Sequence, residues 1–158
     1  MALYFLDSSA IVKRYHKDEV GSAWLTELIL SIAPTILRNS LHIALVSGVE
    51  VVAALTRRQR MGNSSAEETA QAIARFQREW RDMYETVRLD HDVIQHAMLL
   101  AQRYGLRGYD AVQLASAMEV GSLARQLELS FVFISADDRL NAAAVEEGLQ
   151  TDNPNFHL

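Results

Sequence analysis

Short apolar segments that are typical of buried strands alternate with longer segments of helical periodicity along the chain. The strand candidates are residues 3–6, 41–46, 87–89 and 130–135, with a further short edge strand expected at the start of the tail 149–158. The helix candidates are residues 9–18, 20–32, 47–62, 64–86, 91–105, 109–121 and 137–148. Strands and helices in alternation form parallel sheets whose helical crossovers cover both faces. The sequence therefore predicts an α/β fold of three α/β/α layers with a central, mostly parallel sheet.

The length and composition are those of one globular domain. The chain has 158 residues, of which 49% are hydrophobic and 22% charged, and it shows no repeat or linker, so we expect residues 1–158 to form a single domain. Cysteine is absent, which excludes disulfides and thiolate chemistry. No apolar stretch approaches the roughly 18 residues that cross a bilayer, and nothing resembles a signal peptide. We therefore expect a cytoplasmic protein without membrane contact.

Four acidic residues stand where a strand candidate ends or a helix candidate begins. Asp7 ends the first strand, and Glu50 lies one turn into the helix that follows the second strand. Asp110 lies in the first turn of its helix, and Asp137 follows the strand at 130–135. Parallel strands bring their carboxyl ends to one edge of the sheet, which is where ligands bind in such folds. The sequence thus predicts that the four carboxylates lie close together.

Each of these acids taken alone is also explained as a helix cap. Ser47 with Glu50, and Ser135 with Asp138, have the spacing of a capping box. Taken together, however, four carboxylates in one cleft repel each other unless a cation neutralises them. Oxygen ligands without His or Cys suit Mg²⁺ or Mn²⁺, and Mg²⁺ commonly binds substrate phosphate as well. The cluster therefore indicates metal-dependent phosphate chemistry.

Four segments together resemble the motifs of a PIN domain of the VapC toxin type. They are YFLDSSAIVKRY at 4–15, SGVEVVAALTRR at 47–58, LRGYDAVQLASAM at 106–118 and ISADDRLNAAAVEEGL at 134–149. They follow one another in the expected order and span nearly the whole chain. The resemblance implies a PIN-like fold and a metal-dependent endoribonuclease that cleaves RNA phosphodiester bonds, the toxin of a toxin–antitoxin pair.

The resemblance also implies roles for individual residues. The acids that it assigns to catalysis and to Mg²⁺ or Mn²⁺ are Asp7, Glu50, Asp110 and Asp137. Ser9 and Ser135 match positions where the family has a small hydroxyl residue that supports the site. The segment SADDRL offers two aspartates, and the spacing to Leu140 favours Asp137 over Asp138. Arginines near the rim of the site are expected to hold the RNA backbone, and the candidates are Arg14, Arg57 and Arg58.

The partners implied by the resemblance are an RNA substrate, a cognate antitoxin protein and a second copy of the chain in a homodimer. We expect the antitoxin to lay an apolar segment in a groove formed by residues 8–32 and 47–61, and to present a basic side chain to the carboxylates. The net charge of −5 argues against a protein that binds nucleic acid through charge alone.

Other kinds of site lack their motifs. The histidines show no HExxH spacing, and neither G-x-G-x-x-G nor a P-loop is present. A phosphatase of the Asp-x-Asp type needs an acid where Ser9 stands, and a phosphoryl-accepting receiver domain needs paired acids after its first strand. The alternative is a catalytically silent PIN fold that binds a protein or RNA partner.

Overall fold

The structure is a computed structural model that describes residues 2–32 and 39–157. Within these residues the strands are β1 (Ala2–Leu6), β2 (Asn39–Ala44), β3 (Tyr84–Val87), β4 (Ser130–Ile134) and β5 (Thr151–Asp152). The helices are α1 (Ser8–Lys13), α2 (Ser22–Ile32), α3 (Ser47–Arg60), α4 (Ala66–Met83), α5 (His91–Tyr104), α6 (Gly108–Gln126) and α7 (Asp138–Glu146), with a 3₁₀ turn at Pro154–Phe156. None of the helices in the described ranges is both long and apolar enough to cross a membrane.

The strands form one sheet in the order β3-β2-β1-β4-β5, and every neighbouring pair is parallel. Two hydrophobic clusters cover its faces. One cluster joins the sheet to α5, α6 and α7, and the other joins it to α1, α2, α3 and α4. Phe5 belongs to the first cluster and Leu6 to the second, as the alternation of side chains along a strand requires. The predicted three-layer α/β/α fold is confirmed.

Some element boundaries differ from those expected. The helix predicted at 64–86 ends at Met83, and β3 begins at Tyr84, three residues before the predicted strand. Phe76, Trp80 and Tyr84 are spaced four residues apart, so the apolar pattern of α4 runs on into the strand. The residues from Tyr84 onward form a strand instead of continuing the helix because Tyr84 pairs with Leu41 of β2. This pairing gives hydrogen-bond partners to the backbone groups of both segments.

A buried ion pair ties α1 to α4. Arg14 donates from Nε and Nη2 to the two carboxylate oxygens of Glu79, each at 2.8 Å, and its side chain is only 1% exposed. Glu79 also accepts from the hydroxyl of Tyr15 at 2.6 Å and from Nε of Arg75 at 3.0 Å. Arg14 therefore does not lie at the rim of the acidic site, and the expectation that it holds the RNA backbone there is corrected.

Each of the two tryptophans has its own packing partners. The ring of Trp24 on α2 stacks on His157, with 3.8 Å between centroids and an interplanar angle of 2°. Trp80 on α4 packs edge-on against Phe76, and its indole lies so close to Gly48 that a Cβ there would come within 2.8 Å of the ring. The C-terminal segment is thus docked on α2, and α4 is packed tightly on the start of α3.

Candidate active site

Asp7 is a buried carboxylate at the carboxyl end of β1. It is only 2% exposed, and it is the N-cap of α1, since one of its oxygens accepts from the Ala10 N–H at 2.9 Å. The hydroxyl of Ser9 donates to both of its oxygens, at 2.7 and 2.9 Å, and the hydroxyl of Ser135 donates to one at 2.9 Å. Both serines expected to support the site therefore hold this carboxylate.

Pairing of β1 with β4 brings these groups together. Leu6 lies beside Ile134 in the sheet, and the Asp7 N–H donates to the Ile134 carbonyl at 3.1 Å. The Ser9 hydroxyl also accepts from the Ala136 N–H at 3.0 Å. The strand ends and the two helices that follow them are thus joined through one carboxylate and two hydroxyls.

Burial raises the pKa of Asp7 to about 7. The hydrogen bonds from Ser9, Ala10 and Ser135 favour the ionised form but do not offset the loss of solvent, and the charge of Glu50 adds to the rise. The folded protein therefore holds this group near the midpoint of its titration at neutral pH.

Glu50 of α3 is held by a residue that the sequence reasoning missed. Nε2 of Gln113, on α6, donates to Oε1 of Glu50 at 2.6 Å and to Oγ of Ser47 at 2.9 Å. The predicted capping box of Ser47 and Glu50 is therefore wrong: the N-cap of α3 is Val46, whose side chain has no acceptor. Burial raises the pKa of Glu50, and the negative charge of Asp110 raises it further, whereas hydrogen bonds from Gln113 and Ser8 lower it.

Asp110 and Asp137 approach the same place from α6 and α7. Burial raises the pKa of Asp110, the charge of Asp137 raises it further, and Arg107 and Arg139 lower it. Asp137 is the N-cap of α7, and it accepts from the Leu140 N–H at 2.9 Å.

Asp137 and Asp138 are adjacent in sequence but have different neighbours. Asp137 lines the same cavities as Asp110, whereas Asp138 accepts from Nδ2 of Asn153 at 2.7 Å, in the C-terminal segment. The predicted capping box of Ser135 and Asp138 is also wrong, because Asp137 caps α7 and the Ser135 hydroxyl donates to Asp7.

Three of the four acids line one open cavity of about 720 Å³, and they are Glu50, Asp110 and Asp137. Asp7 does not line this cavity, but it interacts electrostatically with Glu50, which does. The rest of the wall is mixed: it carries two arginines, Arg57 and Arg107, and a set of apolar or aromatic side chains, Ile94, Ala97, Met98, Ala101, Tyr109, Ala111 and Val112. Tyr109 is 59% exposed. The cavity thus combines carboxylates, cations and an apolar wall.

The three arginines that were expected to hold RNA line two different cavities. Arg57 lines the acidic cavity, but Arg58 forms an ion pair with Glu19 and lines a second cavity together with Arg14. Arg107 and Tyr109, which line the acidic cavity, were not singled out from the sequence. Their position within the three residues before Asp110 is the signal that would have identified them.

The donor set is chemically suited to a hard divalent cation. The carboxylates interact in a row, from Asp7 to Glu50, from Glu50 to Asp110 and from Asp110 to Asp137. Burial is the main cause of the raised pKa values of Asp7, Glu50 and Asp110, and the neighbouring negative charge, which a cation would neutralise, adds to the rise. Within residues 2–32 and 39–157, no three His, Cys, Asp or Glu side chains are grouped closely enough to hold one ion as they stand. Mg²⁺ usually takes only one or two carboxylates and keeps several waters, so this spacing is compatible with such an ion.

Comparisons with known proteins agree with the motifs. The model of the PIN domain family matches residues 4–146. Ribonuclease VapC45 of Mycobacterium tuberculosis is 36% identical over 127 residues, which are 77% of this chain and 78% of that protein.

Solved structures share the fold at low sequence identity. The crystal structure of M. tuberculosis VapC20, a Sarcin-Ricin loop cleaving toxin, has a TM-score of 0.61 at 15% identity and covers 89% of this chain and 94% of that chain. A toxin–antitoxin complex from Klebsiella pneumoniae has a TM-score of 0.58 at 15% identity and covers 100% of both chains.

The titration of Asp7 predicts how its replacement changes stability with pH. In the folded protein the pKa of Asp7 is about 7, against 3.8 for an ordinary aspartate. Between these values the folded state binds more protons than the unfolded state, so the free energy of unfolding of the metal-free wild type falls as pH rises. Asn does not titrate, so the unfolding free energy of Asp7→Asn relative to wild type should rise by about 2–3 kcal/mol from pH 5 to pH 8. Urea denaturation in chelator measures this, and a difference that is independent of pH would contradict the raised pKa.

Proposed function

Because the chain belongs to the PIN domain family, we propose that it is a metal-dependent endoribonuclease and the toxin of a toxin–antitoxin pair. The row of four carboxylates at the carboxyl edge of the parallel sheet carries the proposal. It is supported by the ribonuclease that is 36% identical to this chain, and by the likeness in fold to a cleaving toxin and to a toxin–antitoxin complex. We further propose that the protein works in the cytoplasm, in contact with cellular RNA, and cell fractionation would check this.

We propose that Mg²⁺ or Mn²⁺ is held by Asp7, Asp110, Glu50 and Asp137, with Asp7 and Asp110 as the most direct ligands. When bound, such an ion lowers the pKa of a bound water and neutralises charge on the scissile phosphate. The side chains of the protein do the rest. Ser9 and Ser135 fix the orientation of Asp7, and Gln113 fixes Glu50. Glu50, which lines the acidic cavity, is placed to accept the proton of the attacking water.

RNA is proposed to enter the acidic cavity along its cationic and aromatic wall. Arg57 and Arg107 line that wall and would contact phosphates that flank the scissile bond. Tyr109 is exposed beside Asp110, and exposed aromatic rings are platforms on which unpaired bases stack. Arg14 is removed from the set of proposed RNA contacts, because its side chain is buried against Glu79.

The antitoxin is proposed to cover the apolar surface of residues 8–32 and 47–61. Within these ranges the side chains of Val20 and Leu30 are 49% and 53% exposed, so both are available to an apolar segment of a partner. A basic side chain of the partner that reaches Glu50 and Asp110 would occupy the place of the cation and so inhibit cleavage.

The first prediction from this proposal concerns the carboxylates. Asp7→Asn and Asp110→Asn should each fold and should cleave RNA at least about a hundredfold more slowly, because a main electrostatic stabiliser is lost. Asp138→Asn is the matched control and should cleave at a rate near that of wild type, since Asp138 bonds to Asn153. The measurement is cleavage of total cellular RNA by purified protein, with Mn²⁺ and with chelator. Cleavage in chelator that equals cleavage with Mn²⁺ would refute the metal, and a folded wild type without any cleavage would favour the silent binding module.

The second prediction concerns Tyr109. Tyr109→Ala should raise the KM for RNA by about tenfold with little change in kcat, since stacking of one base contributes about 1–3 kcal/mol, and Tyr109→Phe should retain the KM of wild type. Steady-state kinetics and light scattering of each variant are the measurements. An unchanged KM for Tyr109→Ala would exclude base stacking. If Tyr109→Ala changes the oligomeric state instead, this wall forms the contact between copies in the expected homodimer.

The third prediction concerns the antitoxin. Wild-type protein purified from its own cells should carry a small partner that suppresses cleavage, and denaturing separation followed by refolding should restore cleavage. Val20→Asp and Leu30→Asp should weaken retention of that partner without slowing cleavage by the freed protein. Leu127→Asp is the control, because Leu127 is equally exposed at 56% but lies beyond α6, outside the proposed surface. Protein that is isolated fully active and without a partner would argue against this assignment.

A further inference from the structure

The C-terminal segment, residues 151–157, lies against a loop that carries two residues of the site. This loop, residues 135–138, is called the site loop below, and it contains Ser135 and Asp137. The Ser135 N–H donates to the Asp152 carbonyl at 3.1 Å, which continues the pairing of β4 with β5. The C-terminal segment is therefore a direct neighbour of the site, although it adds no carboxylate to the row.

Two asparagines of the C-terminal segment hold the site loop through their side-chain amides. Nδ2 of Asn153 donates to Oδ1 of Asp138 at 2.7 Å, and Nδ2 of Asn155 donates to the Ala136 carbonyl at 3.0 Å. Asn153 is only 5% exposed, and its Oδ1 accepts from the Asn155 N–H at 2.9 Å, which caps the 3₁₀ turn. Its amide is thus fixed at both ends and has one orientation toward the loop.

The backbone of Ala136 is held from two sides. Its N–H donates to the Ser9 hydroxyl at 3.0 Å, and its carbonyl accepts from Asn155. Asp137 is the next residue, and its own N–H donates to the Ser135 hydroxyl at 3.1 Å. The position from which the Asp137 side chain projects is therefore set by α1 on one side and by the C-terminal segment on the other.

The opposite side of the C-terminal segment is docked on α2. Gly21 comes directly before α2 with φ of +82°, and a Cβ there would overlap the carbonyl oxygen of Pro154. His157 stacks on Trp24 of α2 and also hydrogen-bonds through Nε2 to Oδ1 of Asp152 at 2.7 Å. The segment thus links α2 to the site loop.

We infer that the C-terminal segment positions Asp137 for the divalent cation by fixing the site loop to α2, and that Asn153 is a positioning residue. The inference rests on the proposed metal site, to which it adds no ligand. Asn153 does not line the acidic cavity, so it acts on the ion only through the loop. Residues that orient metal ligands from behind contribute about 10–100-fold to metal affinity or activity, whereas a role in stability alone would leave metal affinity unchanged.

A donor swap between Asn153 and Asp138 tests the contact. Asn153→Asp keeps an oxygen that caps the 3₁₀ turn, but it places a second carboxylate against Asp138. The repulsion should displace the segment and weaken Mn²⁺ binding by about tenfold or more. Adding Asp138→Asn supplies an amide that donates to the new carboxylate, so the double variant should regain the affinity of wild type. Asp138→Asn alone keeps the acceptor oxygen and should bind Mn²⁺ like wild type.

The measurement is calorimetric titration of the full-length protein with Mn²⁺ at neutral pH, well below the melting temperature of each variant. RNA cleavage at saturating Mn²⁺ is the second readout.

A pair of glycines tests the link to α2. Gly21→Ala places a methyl group against Pro154 and should weaken Mn²⁺ binding, although it touches none of the carboxylates. Gly62→Ala is the matched control, because Gly62 has φ of +77° and its Cβ would meet no described atom within 4 Å. Both variants carry the strain of a side chain at positive φ, so both should melt at lower temperature in chelator. Only Gly21→Ala should also lose Mn²⁺ affinity.

Three results would overturn the inference. One is wild-type Mn²⁺ affinity in Asn153→Asp, and another is a loss of affinity that Asp138→Asn does not reverse. The third is equal Mn²⁺ affinity in Gly21→Ala and Gly62→Ala, which would refute the link to α2. A wild type that neither binds Mn²⁺ nor cleaves RNA would instead refute the proposed metal site, and this inference with it, so the two failures are distinguishable.

Discussion

The structure depends on one buried carboxylate. Asp7 ends β1, caps α1, and accepts hydrogen bonds from Ser9 and Ser135. Removing an ionised group from water is costly, and the hydroxyls and the Ala10 N–H offset only part of that cost, as the raised pKa shows. The surrounding elements therefore have to be positioned closely: β4 supplies the serine, α3 supplies the neighbouring carboxylate, and the metal proposed to bind there would supply the missing positive charge.

The order of the strands explains why this edge of the sheet holds the site. The chain starts at β1 in the centre, adds β2 and β3 on one side, and then places β4 and β5 on the other. The crossovers that leave β1 and β4 therefore diverge at the carboxyl end of β1, and a cleft opens where the direction of winding changes. Asp7 lies at that point, and the helices that carry Glu50, Asp110 and Asp137 begin around it.

The fold and the four acids could be predicted from the sequence because each leaves a local signal, namely alternating apolar periodicity and an acid at a strand end. What could not be predicted depends on contacts between distant residues. Gln113 looks like one polar residue in a helix until α6 is placed beside α3, and Arg14 looks like a free surface cation until α4 brings Glu79 to it. The proposed capping boxes failed for the same reason, since tertiary partners engage Ser47 and Ser135.

The packing of the two tryptophans, the only ones in the chain, makes the protein its own optical probe. Trp24 is stacked on an imidazole of the C-terminal segment, whereas Trp80 touches only carbon-rich neighbours in the ring contacts described, Phe76 and Gly48. Replacing either indole by Phe leaves a single emitter. The emission of one such protein reports detachment of the C-terminal segment, and the emission of the other reports loosening of α4 from α3, so the two events can be followed separately without any added dye.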